Sequence, residues 1–580
     1  MARPVLPHEP RVHYTNKTQH FEIVIPSTEP RSSRTPVVVD PDRDPIVDIP
    51  HNYKLRSILQ DQTNPTSNES SPHLSKAAFF PWTKSSIRTL WGGGRATRMP
   101  WRGASEDHPP EERWEKVVKR WKDCMAVCAS NQDEKLRTVT WALEFDTLHP
   151  LVCVAGDTGI IHVFDVESWE MVGAMTGHGG RITHLTTHKI RPDYILSSSH
   201  DYTARMWSLA DPVDVPTMPV FWPGQKKVWV SQPKTVTYTE KMAIGQSERP
   251  HFIPVDALVM RTGPPGGVPD PDQAGKGKGA CIAVFKGTGN LLGGHDSWVT
   301  HADFHPTRPF VVTCGADRAI KIWRVPDFPT PETRPERGVT YHIVERPLFS
   351  CTHLHETGVE YVSWLKEDVL VSISSNFPRV HAGEEEEYDD KDRIDVSGTV
   401  VVWQWLDLNR FAPEGLEIKE SMVKPSHWDW TESRSYLTLS KIFLFDEEEY
   451  SIHTSWGLSS NFGSPLFLFT NRGNTIHIVD IQKYNQSPEE IKSRMRDPEI
   501  RAARRGNRRE VRYGNRVELK DVPRAQLYAG NSKYSYSILG AVQNPHSPGM
   551  IVGLGKDGLL TLWRDEGLRP WSEGVSLVAA

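Results

Sequence analysis

The sequence predicts an all-β protein, a seven-bladed β-propeller carrying long irregular insertions, and three observations predict it. A segment of about 40 residues recurs along the chain. Three copies end in an Asp six residues before a Trp, and short β-rich runs separated by turn residues fill the spaces between them. The clearest copy runs from Gly177-His178 through Ser197-Ser198-Ser199-His200-Asp201 to Trp207. A second runs from Gly294-His295 through Thr313-Cys314-Gly315-Ala316-Asp317 to Trp323. Their His-to-Trp separations are 29 and 28 residues. A third ends in Asp557 and Trp563.

This spacing has a physical reading. An Asp in the tight turn between two strands accepts hydrogen bonds from the turn backbone and from the imidazole of the Gly-His histidine. The Trp on the next strand covers that polar pair and donates its indole N–H. This is the blade of a WD40 β-propeller, and it makes His178, Asp201, Trp207, His295, Asp317, Trp323, Trp403, Asp557 and Trp563 structural rather than catalytic. Weaker copies surround the clear ones. Residues 151–156 and 160–164 are β-rich runs with Phe164 in the Trp slot. Another copy begins at His355 and ends at Trp403, with Ser397 where the Asp is expected. One more spans 451–481. Six blades are recognisable from about 136 to 565, and a divergent first blade in 51–135 completes seven. A closed ring leaves no sheet edge open. The propeller is thus expected over 51–570, between a mobile extension, 1–50, and a tail, 571–580.

Composition fits a folded body with irregular excursions: 37% of residues are hydrophobic, against 45 Pro and 41 Gly among 580. The formal net charge of −5 is small for this length and marks neither a nucleic-acid nor a membrane protein. No run of about 18 apolar residues exists and residues 1–30 lack a signal-peptide core, so a soluble intracellular protein is expected. Cys124, Cys128, Cys153, Cys281, Cys314 and Cys351 form no Cys-x-x-Cys pair and read as reduced thiols. Cys124 and Cys128 read as neighbours on one helix face rather than metal ligands, because no second pair accompanies them.

Four insertions are expected, at about 63–112, 211–278, 377–396 and 482–530. Glu111 to Cys128 reads as an amphipathic helix, with Trp114, Val117, Val118, Trp121 and Met125 at helical spacing. The third insertion is acidic, with Glu384 to Glu387, and reads as a solvated loop. Within the fourth, 492–516 holds ten basic residues against three acids, including Arg494, Arg501, Arg504, Arg505, Arg508 and Arg509. It is either a solvated helix or a contact for DNA phosphates or an acidic protein. No phosphate-binding loop, His-Glu-x-x-His or Gly-x-Ser-x-Gly motif is present. A non-enzyme without cofactor is expected, one that uses the two faces of a rigid ring to hold partners.

Beyond the repeat, the run from Trp141 to Trp207 resembles the early blades of the extra sex combs / embryonic ectoderm development (EED) family of propellers, notably His149-Pro150-Leu151, Val154-Ala155-Gly156 and Gly177-His178-Gly179. Downstream, 314–317, 321–324, 362–365 and 445–446 agree in order, and 53–61 matches the family's first strand. The similarity covers about 300 of the 580 residues, and the long insertions are like those of a fungal relative. The resemblance implies a nuclear, non-catalytic subunit of a Polycomb repressive complex 2-like assembly. Its partners would be a SET-domain histone methyltransferase and other Polycomb subunits, with a histone tail or nucleosomal DNA as further contacts and no membrane. The family's aromatic cage for trimethyl-lysine would fall at Phe79 or Phe80, Arg137, His453 and Thr454, and an Arg at a cage position would repel the ammonium. A different reading is an adaptor of another assembly, a ubiquitin-ligase substrate receptor or a ribosome- or RNA-associated factor.

Overall fold

Strands such as Pro150–Gly156, Tyr194–Ser199 and Phe310–Gly315 are buried at every residue. A strand covered on both faces must be apolar or small throughout rather than alternating, as the middle of a propeller blade requires. The computed structural model describes residues 21–23, 53–59, 73–82, 86, 111–122, 124–130, 135–144, 147–167, 171–212, 278–286, 293–326, 342–374, 377–379, 394–396, 398–412, 432–444, 450–454, 465–470, 475–480, 517–519, 522, 524–528, 530–531, 534–535, 538–555, 559–565 and 575–579.

Among these the strands form seven sheets of four or five strands and two short ribbons. Sheet 1 holds His73–Phe79, Met125–Ser130, Val575–Ala579 and Phe21–Ile23. Sheet 2 is the meander Leu136–Leu143, Pro150–Gly156, Ile161–Asp165 and Met171–Met175. Sheet 3 runs Ile182–Thr187, Tyr194–Ser199, Ala204–Pro212 and Lys278–Phe285, with His342–Val344 added in parallel. Sheet 4 comprises Val299–Phe304, Phe310–Gly315, Ile320–Arg324 and Phe349–Cys351. Sheet 5 comprises Val359–Trp364, Val369–Ser374, Thr399–Trp405 and Tyr436–Phe443, with Val517–Glu518 in parallel. Sheet 6 holds Tyr450–Thr454, Pro465–Thr470, Thr475–Asp480 and Arg524–Tyr528. Sheet 7 holds Ile538–Asn544, Ser547–Gly555, Leu560–Asp565 and Tyr53–Leu59.

Apolar clusters lie between the sheets. Phe80, Trp114 and Trp121 meet Trp141 and Val152 of sheet 2. Cys153 and Val163 meet Leu185 and Trp207 of sheet 3, whose Leu196 and Phe285 meet Phe304 and Trp323 of sheet 4. Sheet 4 packs by Phe310 and Ile322 on Trp364 and Trp403. Val371 and Val402 pack on Val479, Ile476 on Ile551 and Trp563, and Val552 and Leu554 return to Ala77 and Met125 of sheet 1. The molecule is an all-β propeller.

Several expectations change here. Tyr53–Leu59, grouped by the sequence with a first blade in 51–135, is instead the outer strand of sheet 7. The helix ends at Trp121, and Cys124 and Cys128 share no helix face, because small and β-branched residues in Met125–Ser130 pair with His73–Phe79. The helix buries Trp114, Val118 and Trp121, as its spacing requires. The fourth insertion ends before 517, since Val517–Glu518 and Arg524–Tyr528 are ladder strands. The tail and the extension each lend a strand to sheet 1, and the acidic insertion is opened by the ribbon Phe377–Arg379 with Ile394–Val396. Among the described residues no helix is long and apolar enough to cross a membrane.

Candidate protein-binding face and its buried supports

In sheet 3 the repeat residues make one buried chain of hydrogen bonds. Trp207 Nε1 donates to Ser197 Oγ at 2.8 Å, Ser197 Oγ lies 2.6 Å from His178 Nε2, and His178 Nδ1 lies 2.8 Å from Asp201. A neutral imidazole protonated on Nδ1 satisfies every partner in this order. Burial holds the His178 pKa below its usual value against the pull of Asp201. For Asp201 burial alone would raise the pKa, but His178, Arg205 and Thr203 together hold it below the normal carboxylate range. The carboxylate also accepts the Gly179 and Thr203 N–H groups at 2.9 and 3.0 Å, and Arg205 Nη2 stands 3.3 Å away, 2% exposed. Gly177, at φ +144°, has no room for a Cβ, which would lie 2.6 Å from Arg205 Nη1.

Sheet 4 repeats the arrangement: Trp323 Nε1 to Thr313 Oγ1 at 2.9 Å, Thr313 to His295 Nε2 at 2.8 Å, and His295 Nδ1 to Asp317 at 3.0 Å. Lys321 takes the place of Arg205 and donates to Ser350 Oγ at 2.9 Å. In sheet 5 no carboxylate joins the His355 network among the described residues. His355 Nδ1 meets Thr399 Oγ1 at 2.8 Å and Ser374 Oγ at 3.1 Å, His355 Nε2 meets Ser372 Oγ at 2.7 Å, and Trp403 Nε1 donates to Ser372 at 3.1 Å. Burial, reinforced by Lys441, lowers the His355 pKa to about 3. The hydroxyls Ser197, Thr313 and Ser372 that link His to Trp escaped the sequence reading. Their signal was available, since Ser197 and Thr313 each stand ten residues before their Trp. Trp563 is buried in sheet 7, while Asp557 and Ser397 lie outside the described residues.

Above these supports the first strands of six sheets share one irregularity. Each carries a β-bulge near its start, the register shifting at Ser75, Arg137, Thr183, Thr300, Glu360 and Leu539. A bulge locally disrupts a ladder, and here it recurs near the start of the first strand in sheets 1 to 5 and 7. Thr183 Oγ1 donates to Val299 O at 2.8 Å, and Thr300 Oγ1 donates to Val359 O, lacing sheets 3, 4 and 5 together. Arg137 is instead ion-paired with Asp157 through Nε, with Nη2 at 3.4 Å.

Of the sequence-derived cage positions, only Arg137 is one of these six bulge residues. Phe79 and Phe80 are buried between sheets, Phe80 edge-on to Trp82 and Trp141. His453 and Thr454 pair with Phe467 and Leu466 within sheet 6. Arg494, Arg501, Arg504, Arg505, Arg508 and Arg509 lie outside the described residues. Among the described residues no three His, Cys, Asp or Glu side chains converge as a metal site.

The fold and its buried His–Ser/Thr–Trp networks define a WD-repeat propeller, and the family described as WD domain, G-beta repeat matches 169–208 and 280–324. The chain is similar to Polycomb proteins of the EED, esc and FIE group. It is 23% identical over 254 residues to Polycomb group protein FIE1 of Oryza sativa, covering 42% of this chain and 48% of the relative. It is 24% identical over 257 residues to Polycomb protein esc of Drosophila melanogaster, covering 42% and 43%, and 24% identical over 230 residues to Polycomb protein EED of Chaetomium thermophilum, covering 40% and 28%. The chain thus spans about half or less of the length of these relatives. Among solved structures, the apo Chaetomium thermophilum Polycomb Repressive Complex 2 in an autoinhibited state matches with a TM-score of 0.48 at 14% identity, over 89% of this chain and 98% of that one.

Proposed function

We propose that this chain is a non-catalytic scaffold subunit of a Polycomb repressive complex 2-like histone lysine methyltransferase, a nuclear propeller that holds a SET-domain enzyme and other Polycomb subunits for gene silencing. One observation carries the reading. Buried networks of this kind occur in any WD-repeat protein, whereas the similarity to the EED, esc and FIE proteins runs over 42% of the chain. In this reading the ring has seven blades, supported by seven sheets and by apolar clusters that return from the seventh sheet to the first, with strands from 21–23 and 575–579 joining the first sheet beyond the expected 51–570. His178, His295 and His355, with Asp201, Asp317 and their hydroxyl partners, are engaged in buried architecture, which supports a binding role.

The same reading gives the trimethyl-lysine cage no working part. Arg137, tied to Asp157, puts a guanidinium where an aromatic ring would attract an ammonium. The Arg-rich segment 492–516 serves DNA phosphates or an acidic protein surface. Affinity purification of the tagged protein tests the assignment: a SET-domain methyltransferase is the expected partner, and recovery of ribosomal or ubiquitin-ligase subunits in its place overturns it. Calorimetry with a trimethylated histone-tail peptide is expected to show no methyl-dependent binding in the micromolar range.

A further inference from the structure

We infer a carboxylate-binding site in the seam between sheets 4 and 5, where the buried indole N–H groups of Trp364 and Trp405 are donors awaiting an acceptor. It stands apart from the Polycomb assignment. Other indoles of the ring spend their N–H within the fold: Trp207, Trp323 and Trp403 on hydroxyls at 2.8–3.1 Å, and Trp141 on Ala78 O at 2.7 Å. Trp364 holds on sheet 5 the place of Trp141 on sheet 2, each four residues past its bulge, yet its Nε1 reaches no acceptor. Nor does Trp405 Nε1, and both atoms are buried, in residues 1% exposed. The two rings lie 6.2 Å apart in one apolar cluster. A buried donor that has given up water without a new partner is costly, so two side by side mark a place where an acceptor belongs.

The walls select the acceptor. Phe310 stands 5.4 Å from the Trp405 ring and Phe411 stacks on it at 5.9 Å and 17°, while the His305 ring lies 4.5 Å from Trp364. Arg324 opposes Phe310 in the ladder, which puts its side chain on the same face of sheet 4, and it is 7% exposed. A water would bring hydrogens of its own to a wall of donors and rings. A carboxylate only accepts, has two oxygens to serve two indoles, and gains from the guanidinium. The fold's own carboxylates nearby are turned to other groups: Asp303 accepts Ser363 Oγ and Trp364 N–H, Glu367 accepts Thr307 Oγ1, and Asp368 accepts Gln404 Nε2, while Asp407 pairs with Arg410. The site lies near the surface. Trp405 is followed by Leu406, 52% exposed, and Phe411 belongs to the short helix Leu408–Phe411, with Arg410 5.1 Å over its ring. A small organic acid and the acidic side chain of a partner present the same group to these donors.

The test is thermal melting of the full chain in sodium acetate against sodium chloride at equal ionic strength, for wild type, Trp364→Phe, Trp405→Phe and Trp403→Phe. Acetate at about ten times its dissociation constant is expected to raise the wild-type melting temperature by about 2 °C over chloride. Trp364→Phe and Trp405→Phe, which keep a ring and lose the N–H, are expected to lose most of that shift. Trp403→Phe, whose N–H is already taken by Ser372, keeps it. Each variant is compared with itself in chloride, so its own stability cancels. If the variants do not fold, indole nitrogen-15 spectra of the wild type decide: two buried N–H signals move downfield on acetate titration. The source of the carboxylate is read with the peptide acetyl-Gly-Gly-Glu-Gly-Gly-amide and its Gln twin. A shift with the Glu peptide at lower concentration than acetate assigns the site to a partner's acidic side chain, and a shift with acetate alone assigns it to a small organic acid. No excess shift over chloride, an equal shift with the Gln twin, unmoved indole signals, or a full shift in both Trp364→Phe and Trp405→Phe would overturn the inference.

Discussion

Sheets 3 and 5 solve the same problem with different chemistry, and the comparison shows what the repeat requires. Both bury an imidazole between two strands, link it through a serine hydroxyl to an indole N–H, and leave none of these groups in water. Sheet 3 finishes the network with the Asp201 carboxylate and needs Arg205 to balance it. Sheet 5 finishes it with Thr399 and Ser374, and its counterpart of Arg205, two residues before Trp403 on the same strand as Thr399, is the apolar Val401. Carboxylate and cation have gone together. That is the expected rule for buried charge: a pair can be replaced by neutral groups at little cost, whereas one partner alone cannot.

The comparison breaks most visibly at Asp201. Asp201→Ala strands Arg205 in the core and is expected to cost about 3–5 kcal/mol in urea denaturation. Asp201→Ser combined with Arg205→Val, which copies sheet 5, is expected to recover at least half of that loss, and a double variant no more stable than Asp201→Ala would show that the charges are not coupled.

The pH response sharpens the same contrast. His355 has a folded pKa of about 3 against an unfolded value near 6.5. Its stabilising contribution is complete above the unfolded value and is lost as pH falls from there toward 3. Asp201 and Asp317 are held below the unfolded carboxylate value, so theirs is present above about pH 4 and lost only below it. Stability should therefore decline in two stages on acidification. His355→Gln should flatten the first stage by up to about 1.4 kcal/mol per pH unit while leaving the second intact. An unchanged slope between pH 6.5 and 4 would mean that His355 is not buried neutral.

The smallest effect is expected where charge meets solvent. Arg137 and Asp157 are 40% and 37% exposed, and Arg137→Ala should change the unfolding free energy by less than about 1 kcal/mol. A larger loss would show that the bulge on sheet 2 leans on this pair as sheets 3 and 4 lean on their threonines.

The sequence made the buried His, Asp and Trp residues legible because a network tied to a turn imposes fixed spacing. The linking hydroxyls were harder to see. Serine and threonine are common in strands, and in sheet 5 the acidic insertion separates Ser372 from Trp403 by 31 residues. Partners joined only by tertiary pairing left no local trace: Tyr53–Leu59 reads as a β-rich run, and nothing nearby says that its neighbour is Leu560–Asp565. The bulge positions were half legible. Arg137 could be placed by its distance from Trp141, but a bulge is a property of two strands and cannot be read from one.

That pairing between residues 53–59 and 560–565 also sets a timetable. A strand made early must wait through some five hundred residues of synthesis before its partner leaves the ribosome, and until then sheet 7 lacks its rim. Folding can proceed blade by blade behind the ribosome, but the circle is sealed only once residues 560–565 have emerged.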